Sequence, residues 1–75
     1  MIVTEIIDRA TLRFAKQRLR FRVKKYGKIE ITAIDTRGRE FTTGTTEIVP
    51  ASDIPIAVDN LLDNIEVAYQ ERLFT

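Results

Sequence analysis

Leu19-Arg20-Phe21-Arg22-Val23-Lys24-Lys25-Tyr26-Gly27 is the stretch that decides the fold. Leu19, Phe21 and Val23 alternate with Arg20, Arg22 and Lys24, a period of two that places apolar side chains on one face of a strand and cations on the other. A competing pattern runs through the same residues. Leu12, Ala15, Leu19, Val23 and Tyr26 fall at helical spacing with Gly27 as a stop, and in that version one long helix reaches Tyr26 and only a hairpin follows. The strand reading is preferred, because Phe14 and Phe21 would lie opposite the helical stripe and face water.

Downstream, Tyr26-Gly27 marks a turn, since glycine takes positive φ at little cost. Ile29, Ile31 and Ala33 then alternate with Glu30, Thr32 and Ile34 as a second strand. Asp35-Thr36-Arg37-Gly38 has turn chemistry, and the β-rich run from Arg39 to Thr45 supplies a third strand. Pro50 closes the sheet region. Ser52 or Asp53 can cap a helix whose first turn tolerates Pro55. Along that helix Ala57, Val58, Leu61, Leu62, Ile65, Ala68 and Tyr69 share one broad face, while Asp59, Asp63 and Glu66 lie on the other.

Upstream, Ile2, Val3, Ile6, Ile7, Ala10 and Phe14 recur every three or four residues and predict a helix over 2–16. The order is therefore α-β-β-β-α: an α+β fold in which a three-stranded antiparallel sheet packs against an N-terminal and a C-terminal helix. At 75 residues the chain forms a single domain, 1–75, with no room for a second core. A domain of this size buries only about 60–65% of the surface its unfolded chain exposes, so each large core side chain matters.

The composition excludes several functions. Cysteine and histidine are both absent, which removes a disulfide framework, thiolate metal cages, the commonest metal ligand and the commonest general base. Ser52 is the only serine, and no histidine stands ready to activate it. Asp59, Asp63 and Glu66 could in principle hold a hard cation, but carboxylates along one rigid helix point side by side, so a solvated face is the better reading. The glycines form neither a phosphate-binding loop nor a dinucleotide fingerprint. The chain is expected to be no enzyme and to carry no cofactor or metal. Apolar runs are too short to span a bilayer, and the opening Met1-Ile2-Val3-Thr4-Glu5 lacks the basic and apolar regions of a signal peptide, so a cytoplasmic location is expected.

The net charge of +1 conceals a division. Residues 1–45 hold eleven Lys/Arg against five Asp/Glu, whereas residues 46–75 hold one against six. From Arg9 to Lys28 stand nine cations in twenty residues without one carboxylate. On the strand reading Arg20, Arg22 and Lys24 share a face at a spacing of about 7 Å, close to the step between phosphates of a nucleic-acid strand. Arg18, Lys25 and Lys28 flank that strand, and Arg37 and Arg39 add two guanidiniums at the next turn, where a β-ribbon can meet a groove or a backbone. Tyr26 and Phe41 could stack on bases, although an aromatic on a strand more often belongs to a core.

The element order resembles that of double-stranded RNA-binding domains, except that Ile54-Pro55-Ile56-Ala57 stands where those domains carry a lysine pair. Gly38-Arg39-Glu40-Phe41-Thr42-Thr43-Gly44, with Ile56-Ala57-Val58 and Asn64-Ile65-Glu66, resembles the arm-type DNA-binding domain of phage tyrosine recombinases. That resemblance implies a three-stranded sheet lying in a major groove, and the first helix has no counterpart in it. The order also resembles small phage-encoded inhibitors, including certain anti-CRISPR proteins. None of these likenesses names a family.

The leading expectation is a small module that binds nucleic acid through Arg18, Arg20, Arg22, Lys24, Lys25, Lys28, Arg37 and Arg39. The alternative is a protein-interaction domain, an inhibitor or adaptor of the kind mobile elements encode, that meets an acidic protein surface. The bipolar charge also permits a homodimer in which the basic sheet of one copy meets the acidic helix of another. A merely solvated basic strand, protecting a sheet edge, is the bland reading of the same residues.

Overall fold

The computed structural model describes residues 1–75. Helix α1 (Val3–Arg13) is followed by a 3-10 turn (Ala15–Gln17), strands β1 (Arg20–Lys25), β2 (Ile29–Ile34) and β3 (Glu40–Gly44), a second 3-10 turn (Ala51–Asp53) and helix α2 (Ile54–Gln70). The strands form one antiparallel sheet in the order β1-β2-β3. The fold is thus α+β with the order α-β-β-β-α, and the period of two over 19–24 is that of a strand.

At the start of α1 the Glu5 carboxylate accepts the backbone N–H of Ile2 at 2.9 Å, which satisfies one donor at the open end of the helix. The helix stops at Arg13, shorter than the expected 2–16, for a packing reason. Phe14 leaves helical geometry at φ −107° and ψ 25°, and its ring turns in against Phe21 with centroids 5.7 Å apart. After the 3-10 turn, Arg18 takes the left-handed conformation at φ 56°, which swings the chain into β1. Leu12, part of the competing helical stripe, is left exposed.

The two tight turns follow their glycines. Gly27 sits at φ 85° between β1 and β2, and Gly38 at φ 80° between β2 and β3. The cap expected from Ser52 or Asp53 does not form. Asp53 stands at the N-cap of α2 in a right-handed conformation, and no side chain caps the helix. The 3-10 turn fills that role with backbone: Asp53 N–H donates to Pro50 O at 2.9 Å, and the N–H of Ile54 goes to Ala51 O. Pro55 fits the first turn, where its missing N–H costs nothing.

Both helices lie on one face of the sheet. Ile6, Ala10 and Phe14 from the first helix and its end, Phe21, Ile29, Ile31 and Ala33 from the strands, and Val58, Leu61, Leu62, Ile65 and Ala68 from α2 form a single apolar core. Burying one such Leu, Ile or Phe side chain contributes about 1.5–3 kcal/mol. α1 packs mainly on β1, and α2 packs on β3 and β2. The last residues close the far edge: Thr75 exchanges two backbone hydrogen bonds with Glu40 (2.9 and 3.1 Å), and Phe74 is buried beside Phe41. The opposite face of the sheet carries no helix.

Candidate nucleic-acid interface

The bare face is set by register. Arg20 lies opposite Ile34 and Arg22 opposite Thr32, while Lys24 lies opposite Glu30. On the far side of β2, Glu40 lies opposite Ile34 and Thr42 opposite Thr32. Because side chains alternate along a strand, Arg20, Arg22 and Lys24 all project from the face away from the helices. The core residues Phe21, Ile29, Ile31 and Ala33 point the other way.

Thr32 and Ile34 are buried although no secondary-structure element covers them. Arg22 and Glu40 supply the reason. Their side chains, from strands on either side of β2, meet with Arg22 Nη2 2.7 Å from Glu40 Oε1. To do so they must reach over β2, and their apolar stems roof the two residues beneath. Thr32 and Thr42 share a hydroxyl–hydroxyl hydrogen bond of 2.8 Å under the same strap.

The predicted site residues divide between the two ends of this face. Arg18 and Arg20 stand at the end where β2 turns into β3, the end that also holds Arg37 and Arg39. Lys24 and Lys28 stand at the other end, where β1 turns into β2. Five residue steps of strand separate Arg20 from the end of β1, about 17 Å. The side chains of Arg20, Arg18, Lys24, Lys28 and Arg37 are exposed and make no hydrogen bond or ion pair within the chain. Arg22 is paired, as above. Lys25 points to the helix side, where its Nζ donates to the Met1 carbonyl at 2.7 Å and ties the start of α1 to β1. Tyr26 is exposed beside these lysines, whereas Phe41 belongs to the inner side, stacked on Phe74 at 5.9 Å.

Arg39 has a partner that the sequence did not reveal. Asp35 is 7% exposed, and its carboxylate accepts the N–H of Arg37 (2.9 Å), the N–H of Arg39 (2.8 Å) and the Nε of Arg39 (2.7 Å). Burial by itself pushes the Asp35 carboxyl upward. The backbone and side-chain hydrogen bonds from Arg39, the backbone hydrogen bond from Arg37 and the Arg39 charge outweigh it and hold the group below the usual aspartate range. The β2–β3 turn is therefore fixed by an ionised carboxylate, with Arg37 and Arg39 displayed from a rigid loop.

The acidic face of α2 is used inside the chain. Asp59 receives Arg9 in a two-pronged bond, Nε to Oδ1 and Nη2 to Oδ2, both 2.8 Å. Arg13 Nη2 bonds Asp63 and lies 3.7 Å from Glu66. These pairs, taken in order, show that α1 and α2 run in the same direction side by side. The bond from Arg9 holds the Asp59 carboxyl below its usual range, and the same bond raises Arg9. The carboxylates that a homodimer through basic sheet and acidic helix would use are thus already engaged with the chain's own arginines.

No helix is long and apolar enough to cross a membrane. Comparison with protein-family models, with curated proteins and with solved structures gives no match.

Proposed function

We propose that this chain is a non-catalytic binding module that holds nucleic acid by its phosphate backbone across the bare face of the sheet. Arg20 and Lys24 are the principal contacts, extended by Arg18 and Arg37 at one end and by Lys28 at the other. The observation that carries the reading is how the charges are sorted. Of the twelve cations, Arg9 and Arg13 are neutralised by α2 on the helix side, whereas Arg20 and Lys24 make no ion pair, although Glu30 stands opposite Lys24 in register. Unpaired cations held on one rigid face repel one another, and phosphates relieve that repulsion while releasing counterions. Contacts of this kind position a strand without reading bases, so sequence preference is weak. Arg22 contributes less than its neighbours, since it must first give up Glu40. The lack of histidine and cysteine, and a lone Ser52 with no base, support a binding role over a catalytic one.

The test is fluorescence anisotropy with labelled duplex and single-stranded oligonucleotides of several sequences at about 50 mM salt, where phosphate contacts are strongest. Binding to all sequences with similar affinity is expected, and its loss in the double variant Arg20→Glu/Lys24→Glu. Wild type that binds none of them overturns the proposal.

A second reading, a protein-interaction module of the inhibitor or adaptor type, is supported by one specific feature. Ile48 is 75% exposed and lies over Gly27, next to Tyr26, which is 62% exposed, so two large apolar side chains meet water among Lys24, Lys25 and Lys28. An acidic protein partner would show milder salt dependence and one dominant hot spot, which Tyr26→Ala would expose.

A further inference from the structure

At the end of the sheet where β2 turns into β3, a cleft of about 560 Å³ opens between that turn and the last turn of α2. Its walls are Arg37, Arg39, Tyr69, Gln70, Arg72 and Phe74: three arginines, with no carboxylate in the lining and Asp35 behind Arg39 as the one counter-charge bonded to them. Arg39 spends only its Nε on Asp35, so both of its Nη groups are uncommitted, as are the whole guanidiniums of Arg37 and Arg72. The aromatic side of the cleft is rigid. Phe74 stacks on Phe41, and Tyr69 meets Phe74 edge-on with centroids 5.8 Å apart. This places Tyr69 at the cleft wall, partly exposed, and not within the core face of α2.

A second observation, in the backbone, points to the same place. α2 ends in a Schellman motif: Leu73 N–H donates to Ala68 O at 2.8 Å and Arg72 N–H to Tyr69 O at 3.2 Å. The left-handed residue of that motif, at φ 58°, is Arg72. Glycine is the usual occupant, because a β-carbon there crowds the following carbonyl. The Arg72 side chain makes no hydrogen bond or ion pair within the chain, so no polar interaction offsets the strain. The turn itself is needed to bring Phe74 and Thr75 back to β3, and Arg18 takes the same conformation where the chain enters β1, so what calls for a reason here is the arginine and not the left-handed backbone. The C-terminal end of a helix is its negative pole and by itself repels anions. Here the carbonyls of Val67, Ala68 and Tyr69 are closed by backbone donors, and three guanidiniums outweigh what remains.

We infer that this cleft is a site for a terminal phosphoryl group. It takes a phosphoryl dianion, either the terminal phosphate of a nucleic-acid strand or the same group on free pyrophosphate or a nucleotide. Such a group presents three terminal oxygens and close to two charges at neutral pH, which three guanidinium forks match. An internal phosphodiester offers two such oxygens and one charge, and is the chemistry of the bare sheet face. The inference does not depend on that face binding anything.

The test uses the full chain and four probes: inorganic pyrophosphate by calorimetry, and one ten-nucleotide thymidine strand carrying a 5′-phosphate, a 3′-phosphate or neither, by anisotropy. The phosphorylated end should bind about tenfold tighter than the unmodified strand, the worth of one strong set of charge-assisted bonds. Arg72→Gly keeps the left-handed backbone and removes the guanidinium. It should abolish both that preference and pyrophosphate binding with no loss of thermal stability, and Arg37→Ala should abolish them as well. Pyrophosphate binding that both variants lose, without any preference among the strands, supports the site and assigns it to a free ligand. Equal binding of the three strands together with no pyrophosphate binding overturns the inference. So does retention of the preference in both variants, or a loss of stability in Arg72→Gly without a change in anion binding. Should the unmodified strand fail to bind while a phosphorylated probe binds, the bare-face proposal fails and the cleft stands; the converse result separates them the other way.

Discussion

Arg13, at the end of α1, bonds Asp63, lies within reach of Glu66 and sits 5.6 Å over the ring of Phe14; Arg20, which opens β1, has no partner in the chain. The same side chain is structural on the covered side of the sheet and unengaged on the bare side. α2 supplies the difference. Its three carboxylates face α1 and never reach the bare face, whose own carboxylates are Glu40, paired with Arg22, and Glu30, opposite Lys24, so that Arg20 is left without one. Overall charge balance and local charge balance are separate properties, and only the second bears on what a surface binds.

The largest effect comes from removing what both faces rest on. Ile65 is fully buried in α2 against the sheet, and Ile65→Ala should cost about 2–5 kcal/mol, measured by urea denaturation. In so small a domain this weakens every function together and leaves the contrast between the faces untouched. Asp35→Asn tests the device that rigidifies the basic turn. A carboxyl held below its usual range contributes stability that is present above its unfolded value and lost as pH falls through its folded one. Wild type should therefore be more stable than Asp35→Asn near neutral pH, and the gap should shrink as pH falls below the ordinary aspartate value and close only as the depressed folded carboxyl protonates. Thermal melts of both proteins over that range check the sign; a gap that persists in acid means that the carboxylate charge does not hold the turn.

On the helix side, Arg13→Ala should cost about 1 kcal/mol or less, because its ion pairs are open to water and screened. It should leave oligonucleotide affinity nearly unchanged. If it weakens binding as much as a change on the bare face does, the two faces are not distinct. Smallest in stability and opposite in sign is Glu40→Gln. Stability should shift by about 0.5 kcal/mol, while the freed Arg22 should raise affinity for oligonucleotides severalfold. A fall in affinity would mean that the Arg22–Glu40 strap is itself the shape being recognised.

The element order and the cationic face of β1 were legible because a period of two survives in Leu19-Arg20-Phe21-Arg22-Val23-Lys24, and because Phe14 and Phe21 had to face the same core. Three features lay beyond that pattern. The early end of α1 depends on the Phe14 ring finding Phe21, a tertiary interaction that overrides helical periodicity. The cap of α2 comes from carbonyls of a 3-10 turn, which carry no residue signature, so Ser52 looked like the cap and is not. Among the site residues, Arg22, Lys25 and Arg39 read as free cations but are engaged by Glu40, by the Met1 carbonyl and by Asp35. Glu40 lies 18 residues from Arg22, and Met1 lies 24 from Lys25. Such pairings follow from register and helix placement, which one sequence does not display. Arg72 had no signal as a residue type; its place in the cleft beside Arg37 and Arg39 sets it apart, while its left-handed backbone is shared with Arg18.

The most direct measurement is the slope of log affinity against log salt for one duplex and one single strand, taken for wild type, Arg20→Ala, Lys24→Ala and Arg13→Ala. Removing a cation that neutralises one phosphate should flatten the slope by about one, so Arg20→Ala and Lys24→Ala should each do so while Arg13→Ala keeps the wild-type slope. A slope unchanged in Arg20→Ala and Lys24→Ala but flattened in Arg13→Ala would place the nucleic acid on the helices and contradict its assignment to the bare face.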